Sequence, residues 1–296
     1  MVAGACLTGK ADVMSCVAEP LPVPPLEEWG PAEIEELLAS RHLFTPEENR
    51  RLDRLLRKPV PREAHPKYCF LTFLRECAWT VDEARAGQVR QWPFDARMEA
   101  PDPLGRSWDA YWSVWDEALH TSPLLFVDKV RRVMASNVVL AWDLWLCAGG
   151  QDPRWPELML SDRNRAIIIQ SKKEEGDTGS QAFISKLERM VYHFEERGGR
   201  KKWPTFPKVK FSVKKASFSN GSRCEAVAQG GDQVRGPGST HIHIEEAAAM
   251  EQIEDSITTA TPALAGGGHM TVVTTPDAGA SFLKKLREGK LGAAGR

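Results

Sequence analysis

The fold is decided by one short stretch, His241-Ile242-His243-Ile244-Glu245-Glu246, in which a β-prone run ends in two adjacent carboxylates. A second β-prone run further along the chain, Thr271-Val272-Val273-Thr274-Thr275-Pro276, ends in hydroxyls and a proline. Two carboxylates at the C-terminal end of a strand can hold a metal ion and polarise a water molecule beside phosphates. The stretch therefore predicts a phosphate-binding strand–loop–helix earlier in the chain.

The composition of the chain limits the possible classes of protein. With 296 residues the chain can hold one large α/β domain with an appendage, or two small domains. Lys plus Arg number 39 and Asp plus Glu 40, so a nucleic-acid surface must be a local patch. The six cysteines form no CxxC pair, and we expect reduced thiols in a cytoplasmic compartment. The most apolar stretch, Val138–Ala148, is too short to span a membrane.

Strands and helices are predicted to alternate in the second half of the chain. Strands are predicted at 124–127, 165–170, 241–244 and 271–275, and helices at 137–148, 177–197, 247–258 and 279–288. Two further strands, near 208–213 and 222–228, are predicted to form a meander or hairpin. This alternation predicts a mostly parallel sheet that is covered by helices on both faces. We divide the chain into a flexible leader (1–25), a helical N-terminal region (26–100), an α/β domain (101–290) and a tail (291–296).

A candidate phosphate loop lies between the first strand of this domain and the helix that follows it. Its sequence is Lys129-Val130-Arg131-Arg132-Val133-Met134-Ala135-Ser136. Compared with the common pattern GxxxxGK[ST], the serine is in place, whereas Lys129 stands at the first position and Ala135 where the lysine is usual. Cations beside a helix N-terminus bind phosphate, so Lys129 and the two arginines favour a phosphate site. A basic surface loop is the alternative.

Taken in chain order, these motifs resemble the ATPase domain of the large terminase subunit, the DNA-packaging motor of tailed phages. The loop is similar to the deviant form K-x-R-[RQ]-x-x-x-[ST] found in that family. Further similar segments are 167–175, 222–236, 242–248 and 272–282. The resemblance covers residues 88–290. It implies an α/β P-loop NTPase of the ASCE type, preceded by a small helical N-terminal region.

The resemblance also implies a role for each matching residue. Lys129 would contact the β- and γ-phosphates of ATP, and Arg131 would stabilise charge on the transferring phosphoryl group. Glu246 would orient and polarise the attacking water, while Ser136 and Glu245 would bind the Mg²⁺ that accompanies ATP. The implied ATP-binding set comprises Gln91, Trp92, Lys129, Val130, Arg131, Arg132, Val133, Met134, Ala135, Ser136 and Asn137, and the implied coupling set comprises Thr274 and Thr275.

The partners that the resemblance implies are double-stranded DNA, a portal protein, a small terminase subunit and further copies of the chain in a ring on the portal. The implied location is the host cytoplasm, with no membrane contact. The sequence departs from the family at Glu245, where aspartate is usual. It also leaves no room after the last motif for the nuclease domain of the family. We therefore expect an ATPase without nuclease activity, as a fragment, a split gene product or a motor that lacks its nuclease.

Three other interpretations stay open at the level of sequence. The missing loop glycines are compatible with a catalytically weak or inactive terminase remnant or assembly module. The same sheet also occurs in other ASCE-type DNA-dependent ATPases. His241, His243 and Glu245 alternate along one strand and, together with His269, could instead ligate zinc. Such alternation is, however, more typical of an exposed or half-polar strand face.

Overall fold

A computed structural model describes residues 5–7, 65–82, 88–91, 108–129, 135–153, 155, 161–176, 179–234, 238–265, 267–275, 282–283 and 285. All of these residues belong to one compact unit, made of Met1–Met14 and Ala64–Arg296. The second unit, Ser15–Glu63, lies outside the described residues.

The centre of the fold is an 8-stranded mixed sheet. In chain order the strands of the protein are β1 (Ala5–Leu7), β2 (Trp79–Asp82), β3 (Gln88–Gln91), β4 (Leu124–Asp128), β5 (Ala166–Gln170), β6 (Val209–Ser212), β7 (Lys215–Phe218), β8 (Arg223–Val227), β9 (His241–Ile244) and β10 (His269–Thr274). The sheet has the order β1-β4-β10-β9-β5-β8-β7-β6, and β2 and β3 form a separate hairpin. The strands β4, β10, β9, β5 and β8 are parallel, whereas β1 and the β6–β7 hairpin add antiparallel pairs at the two ends.

Helices pack on both faces of this sheet. The helices are α1 (Phe70–Glu76), α2 (Trp108–Thr121), α3 (Ala135–Cys147), α4 (Ser180–Glu196), α5 (Gly199–Lys202), α6 (Gly231–Val234) and α7 (Ile253–Ala265). Side chains alternate between two hydrophobic clusters: Ile167 and Ile169 of β5 pack in the cluster with α3 and α4, whereas Ile168 packs in the cluster with α7. This alternation follows from the period of two in a strand, and it explains why Ile167, Ile168 and Ile169 make β5 apolar on both sides.

The strand order confirms the predicted fold class, a P-loop ATPase-like α/β fold with a mostly parallel sheet. β10 lies between β4 and β9, so that one additional strand separates the phosphate-loop strand from the carboxylate strand, as in the ASCE type. The carboxyl ends of these three parallel strands lie at the same edge of the sheet. In open α/β sheets, ligands bind beyond that edge.

The structure differs from the sequence prediction in several details. The predicted helix over 247–258 begins only at Ile253, because a short 3-10 turn, Ala247–Ala249, comes first. The segment predicted as a meander or hairpin is a meander of three strands, β6, β7 and β8. Within the predicted leader, Ala5–Leu7 form a strand that pairs with β4.

The remaining predictions concern the N-terminal region, the domain boundaries, membrane spans and the cysteines. The described part of the predicted helical region contains the β2–β3 hairpin as well as α1. The proposed domain boundaries stay a prediction. None of the described helices is long and apolar enough to cross a membrane. Cys69, Cys77, Cys147 and Cys224 are buried free thiols.

Helix α3, which carries the end of the phosphate loop, is held in place by aromatic packing. The helix is buried nearly all round, as its apolar sequence predicts. Phe70 of α1 packs edge-on against Trp142 at 5.0 Å between ring centroids. Trp145 donates a hydrogen bond from Nε1 to the carbonyl of Pro66 over 2.8 Å. These contacts fix the direction in which the N-terminus of α3 points at the edge of the sheet.

We predict that Trp145→Phe lowers the free energy of unfolding by about 1–3 kcal/mol, because the buried Pro66 carbonyl loses its donor and the smaller ring leaves a void. The midpoint of urea unfolding measures the change. Tyr192→Phe is the control, since Tyr192 is exposed and its loss of one hydroxyl should shift the midpoint little. Equal midpoints for Trp145→Phe and the unmodified chain would contradict the proposed anchoring of α3.

Candidate active site

Lys129 lies at the centre of the candidate active site. It follows directly on β4, and its backbone N–H donates to the carbonyl of Thr274 on β10 over 2.8 Å. Its ammonium group lies 2.6 Å from Oγ of Ser136, 3.2 Å from Oε2 of Glu245 and 3.6 Å from Oε1 of Glu246. The fold therefore brings together four residues that the sequence predicted as functional, from both sides of β10.

The oxygens around this ammonium group are of the kind that bind Mg²⁺. Mg²⁺ takes hard oxygen ligands, usually one or two from the protein with the rest from water and substrate phosphates. Ser136 and Glu245 each direct one oxygen at the same cation, the Lys129 ammonium. These two oxygens are therefore the atoms that could hold the metal predicted from the sequence.

The phosphate loop ends in the first turn of α3. Ala135 is the first residue of the helix and is buried, while Ser136 and Asn137 are half-buried. The N–H groups of a first helical turn have no partner within the helix and can bind an anion. Outside the described residues lie Val130, Arg131, Arg132, Val133 and Met134. The contacts predicted for these five residues, including those of Arg131, stay a prediction.

The adjacent carboxylates Glu245 and Glu246 point into different environments. The side chain of Glu245 is 0% exposed, whereas that of Glu246 is 40% exposed. Glu246 adopts a left-handed backbone conformation with φ of 53°, which costs about 1–2 kcal/mol for a residue with a side chain. Strain of this kind persists where the surrounding structure enforces it, often at a functional site. The turn thus separates a buried carboxylate from one that can reach solvent.

A chain of buried polar groups leads from Glu245 into the interior. Oε1 of Glu245 lies 3.1 Å from Nε2 of His243, and Nδ1 of His243 lies 2.7 Å from Oδ2 of Asp143 on α3. The other oxygen of Asp143 lies 2.6 Å from Nδ1 of His241, whose Nε2 lies 2.9 Å from Oγ1 of Thr271. Asp143, His241, His243 and Glu245 are all 0% exposed. We call this set, with Thr271, the buried relay.

The hydrogen bonds of the buried relay fix the charge of His243. Ionised carboxylates only accept hydrogen bonds, so both ring nitrogens of His243 must donate, one to Asp143 and one to Glu245. The ring is therefore an imidazolium. His241 faces one carboxylate and one hydroxyl, and the hydroxyl can donate or accept. The alternating charges of Lys129, Glu245, His243 and Asp143 cancel one another.

The pKa values of the buried relay agree with this assignment. Burial works against the charged form of His243, but the charge of Asp143 and the bonds to Asp143 and Glu245 raise its pKa to about 9. Burial likewise opposes ionisation of Glu245, but His243 and Lys129 hold its pKa below the usual value. The pKa of Asp143 is lowered in the same way, against burial, by His241 and His243. These pKa shifts keep His243, Glu245 and Asp143 ionised near neutral pH.

The predicted coupling residues lie beside the carboxylates. Oγ1 of Thr274, at the end of β10, accepts a hydrogen bond from the N–H of Ala248 over 2.9 Å and donates to the carbonyl of Thr275 over 3.2 Å. Because its carbonyl also binds the N–H of Lys129, Thr274 contacts both the phosphate-loop strand and the turn after Glu246. The coupling role of Thr274 and Thr275 stays a prediction.

Of the two predicted adenine-side residues, the structure describes only the backbone of Gln91. Gln91 ends β3, where its backbone pairs with Trp79 in the hairpin that is separate from the main sheet. Trp92 lies outside the described residues. A contact of either residue with adenine stays a prediction.

The zinc hypothesis fits the structure poorly. His241, His243 and Glu245 do share one strand face, but that face is fully buried, contrary to the exposed or half-polar face expected. All ring nitrogens of His241 and His243 already contact oxygens of Asp143, Thr271 or Glu245, so zinc would have to break these bonds. In the described part of the chain, the group of side chains that could hold a metal ion is a different one, Asp116, His120 and Asp152.

Sequence reasoning missed Asp143 as part of the site. The signal was present, since Asp143 is the one charged residue in the apolar run Val138–Ala148, and a charge at the centre of a buried helix needs a partner. The identity of that partner could not be found from the sequence. His241 and His243 lie far away in the chain and meet Asp143 only because α3 packs across β9.

Comparisons with known proteins give similar folds and no family assignment. No protein-family model matches the chain, and the search of curated proteins gave no significant match. Solved structures that are similar to the chain include phage large terminases. One is the large terminase of bacteriophage HK97, with 16% identity over 70% of this chain and 37% of that chain and a TM-score of 0.44. Another is the large terminase ATPase domain of Thermus phage P74-26, with 12% identity over 50% of this chain and 57% of that chain and a TM-score of 0.33.

The match thus spans 37% of the HK97 protein and 57% of the P74-26 domain. At these identities and TM-scores the similarity establishes neither family membership nor activity. The fold class rests on the strand order of this chain, and its chemistry must be inferred from the side chains at the carboxyl edge of the sheet.

We predict that Glu246→Gly is more stable than Glu246→Gln by about 0.5–1 kcal/mol, because glycine adopts a positive φ without the steric penalty of a side chain. Urea unfolding of the two variants measures the difference. The control is the same pair of substitutions at Glu251, an exposed turn residue whose φ is not positive. There glycine should be the less stable choice. A less stable glycine variant at both positions would show that the turn after β9 is not strained.

Proposed function

We propose that this chain hydrolyses ATP with Mg²⁺ and uses the energy to translocate double-stranded DNA, as the ATPase part of a large terminase subunit. The observation that carries the proposal is the convergence of Lys129, Ser136, Glu245 and Glu246 at the carboxyl edge of a P-loop ATPase-like sheet. Each of these residue types has a function in phosphoryl transfer, and such transfer is catalysed mainly by positioning and charge stabilisation.

We propose the following roles for the residues, and the surroundings of Lys129 and Glu246 support two of them. Lys129 lies at the edge of the sheet with its side chain 12% exposed, and its ammonium group would contact the β- and γ-phosphates of ATP. Glu246 is the carboxylate that reaches solvent, and it would orient and polarise the attacking water. Arg131 would stabilise charge on the transferring phosphoryl group. Mg²⁺, held by Ser136 and Glu245, would supply the positive charge that neutralises the phosphate oxygens.

The coupling of hydrolysis to DNA movement is assigned to Thr274 and Thr275. Support for the assignment comes from the two hydrogen bonds by which Thr274 joins the N–H of Lys129 to the N–H of Ala248. A change at the phosphates would reach both neighbouring elements through this residue. The partners proposed for the motor are double-stranded DNA, a portal protein and a small terminase subunit. The chain would act as a ring on the portal in the host cytoplasm.

We predict that Glu246→Gln retains ATP but loses hydrolysis by a factor of about 10²–10⁴, because an amide cannot accept a proton from the attacking water. Single-turnover hydrolysis of radiolabelled ATP measures the loss, and filter binding measures the retained nucleotide. Glu251→Gln, which removes an exposed carboxylate of the same type, serves as the control and should hydrolyse ATP normally. An unchanged rate in Glu246→Gln would remove the water-activating role of this residue.

We predict that Lys129→Ala abolishes measurable nucleotide binding at micromolar ATP, since it removes the ammonium that would contact the phosphates. Lys172→Ala is the matched control, because Lys172 is a more exposed lysine after β5 that pairs with Glu251. Titration with a fluorescent ATP analogue and Mg²⁺ compares the two. Absence of binding in the unmodified chain, as well as in both variants, would support the alternative of an inactive remnant or assembly module.

Stimulation of ATP hydrolysis by DNA tests the translocation part of the proposal. The rate of hydrolysis should rise when linear double-stranded DNA is added, and Glu246→Gln should show no such rise. A rate of hydrolysis that does not change when double-stranded DNA is added would contradict the packaging role, although the chain would still be an ATPase.

A further inference from the structure

The side chain of Glu245 must be held in one rotamer if its carboxylate is to bind a metal ion. The terminase motif has aspartate at this position, and glutamate adds one methylene and one rotatable bond. A longer chain has more rotamers, so it defines the position of the carboxylate less well. At the same time the side chain is fully buried, where an ionised carboxylate requires partners for its oxygens. Something in the fold must therefore select one rotamer.

His243 makes the contact that selects it. Nε2 of His243 donates to Oε1 of Glu245 over 3.1 Å, while Oε2 remains turned toward Lys129 at 3.2 Å. Oε1 of Glu245 therefore binds a donor in the interior, and Oε2 faces the edge of the sheet where the candidate site lies. Because His243 stands two residues earlier on the same strand face, its ring lies directly beneath the glutamate.

The ring of His243 is itself held by Asp143. Nδ1 of His243 donates to Oδ2 of Asp143 over 2.7 Å, and Oδ1 of Asp143 is taken by His241 over 2.6 Å. Asp143 lies two helical turns beyond Ser136 on α3, which puts both residues on the same side of that helix. The helix that carries one proposed magnesium ligand is thus bonded, through Asp143 and His243, to the strand that carries the other.

Stability alone gives a weak reason for such a chain. Replacing buried ion pairs by apolar residues of similar volume is often neutral or stabilising, and the surroundings of Asp143 are otherwise the apolar cluster of α3. By contrast, hydrogen bonds from a second layer commonly orient the ligands of a metal site, and their loss lowers metal affinity by a factor of about 10–100.

We propose that His243 and Asp143 are positioning residues that hold the Glu245 carboxylate, and through it the spacing between Glu245 and Ser136, in the arrangement that binds the magnesium–nucleotide complex. The inference rests on the proposed function, and it adds a reason why this chain tolerates glutamate where aspartate is usual. His241 shares the strand, the face and the Asp143 contact, but among its described contacts none is to Glu245. It is therefore the matched control.

The test measures metal affinity directly. Mn²⁺ replaces Mg²⁺, and electron paramagnetic resonance follows its binding to the full chain in the presence of a non-hydrolysable ATP analogue. His243→Leu should weaken Mn²⁺ binding by about 10–100-fold, whereas His241→Leu should leave it within about threefold, although both variants lose one partner of Asp143. His243→Gln should restore much of the affinity, because its amide can donate to Glu245. If the leucine variant does not fold, His243→Asn replaces it, because its shorter amide can donate to Asp143 but does not reach Glu245, and it should weaken Mn²⁺ binding to a similar extent.

A double-mutant cycle tests the reason given for the contact. In a Glu245→Asp background the shorter side chain draws its carboxylate back from the His243 ring, so adding His243→Leu should change Mn²⁺ affinity by less than about twofold. Equal weakening by His243→Leu and His241→Leu, or no weakening by His243→Leu, would overturn the positioning role while leaving the proposed function intact. If the unmodified chain binds no Mn²⁺ with the nucleotide analogue, the proposed function fails and the inference fails with it.

Discussion

The buried carboxylate of Glu245 is the constraint on which the rest of the candidate site depends. A carboxylate that is removed from water must be paired and hydrogen-bonded, because desolvation would otherwise neutralise it or destabilise the fold. Here Lys129 supplies the cation on one side and His243 supplies a donor on the other. His243, as a buried imidazolium, then requires Asp143. The buried charge of Glu245 thus accounts for the polar residues of the buried relay, which connects β9 to α3.

The parallel sheet makes this arrangement possible. Parallel strands end at a common edge, and the two helical layers cover both faces of the sheet. Since β10 separates β4 from β9, Lys129 and Glu245 meet across the end of β10, where Thr274 binds the backbone on either side. The same strand order that defines the fold therefore defines which residues can meet, and it places a hydroxyl between the phosphate loop and the carboxylates.

Much of the architecture could be predicted because the local signals agree with one another. The strands β4, β5, β9 and β10 are short, and all but β4 are rich in β-branched residues. The all-round apolar pattern of α3 is observed as a helix buried nearly all round. The start of α7 was predicted too early, since Ala247–Ala249 have high helix propensity but follow a left-handed residue that ends the strand abruptly. Propensity describes the residues themselves, whereas the turn is imposed by the packing of β9 beside β10.

The sequence by itself determined the order of strands and helices, the mostly parallel sheet, and the residues that gather at its edge, because these follow from periodicity and from the common direction of parallel strands. Only the tertiary structure decided that Glu245 is buried while Glu246 is half exposed, and that His241 and His243 face an aspartate in a helix instead of a metal. Such pairings join residues that are far apart in the chain. No local sequence pattern predicts these pairings, because they arise from the way α3 packs across the sheet.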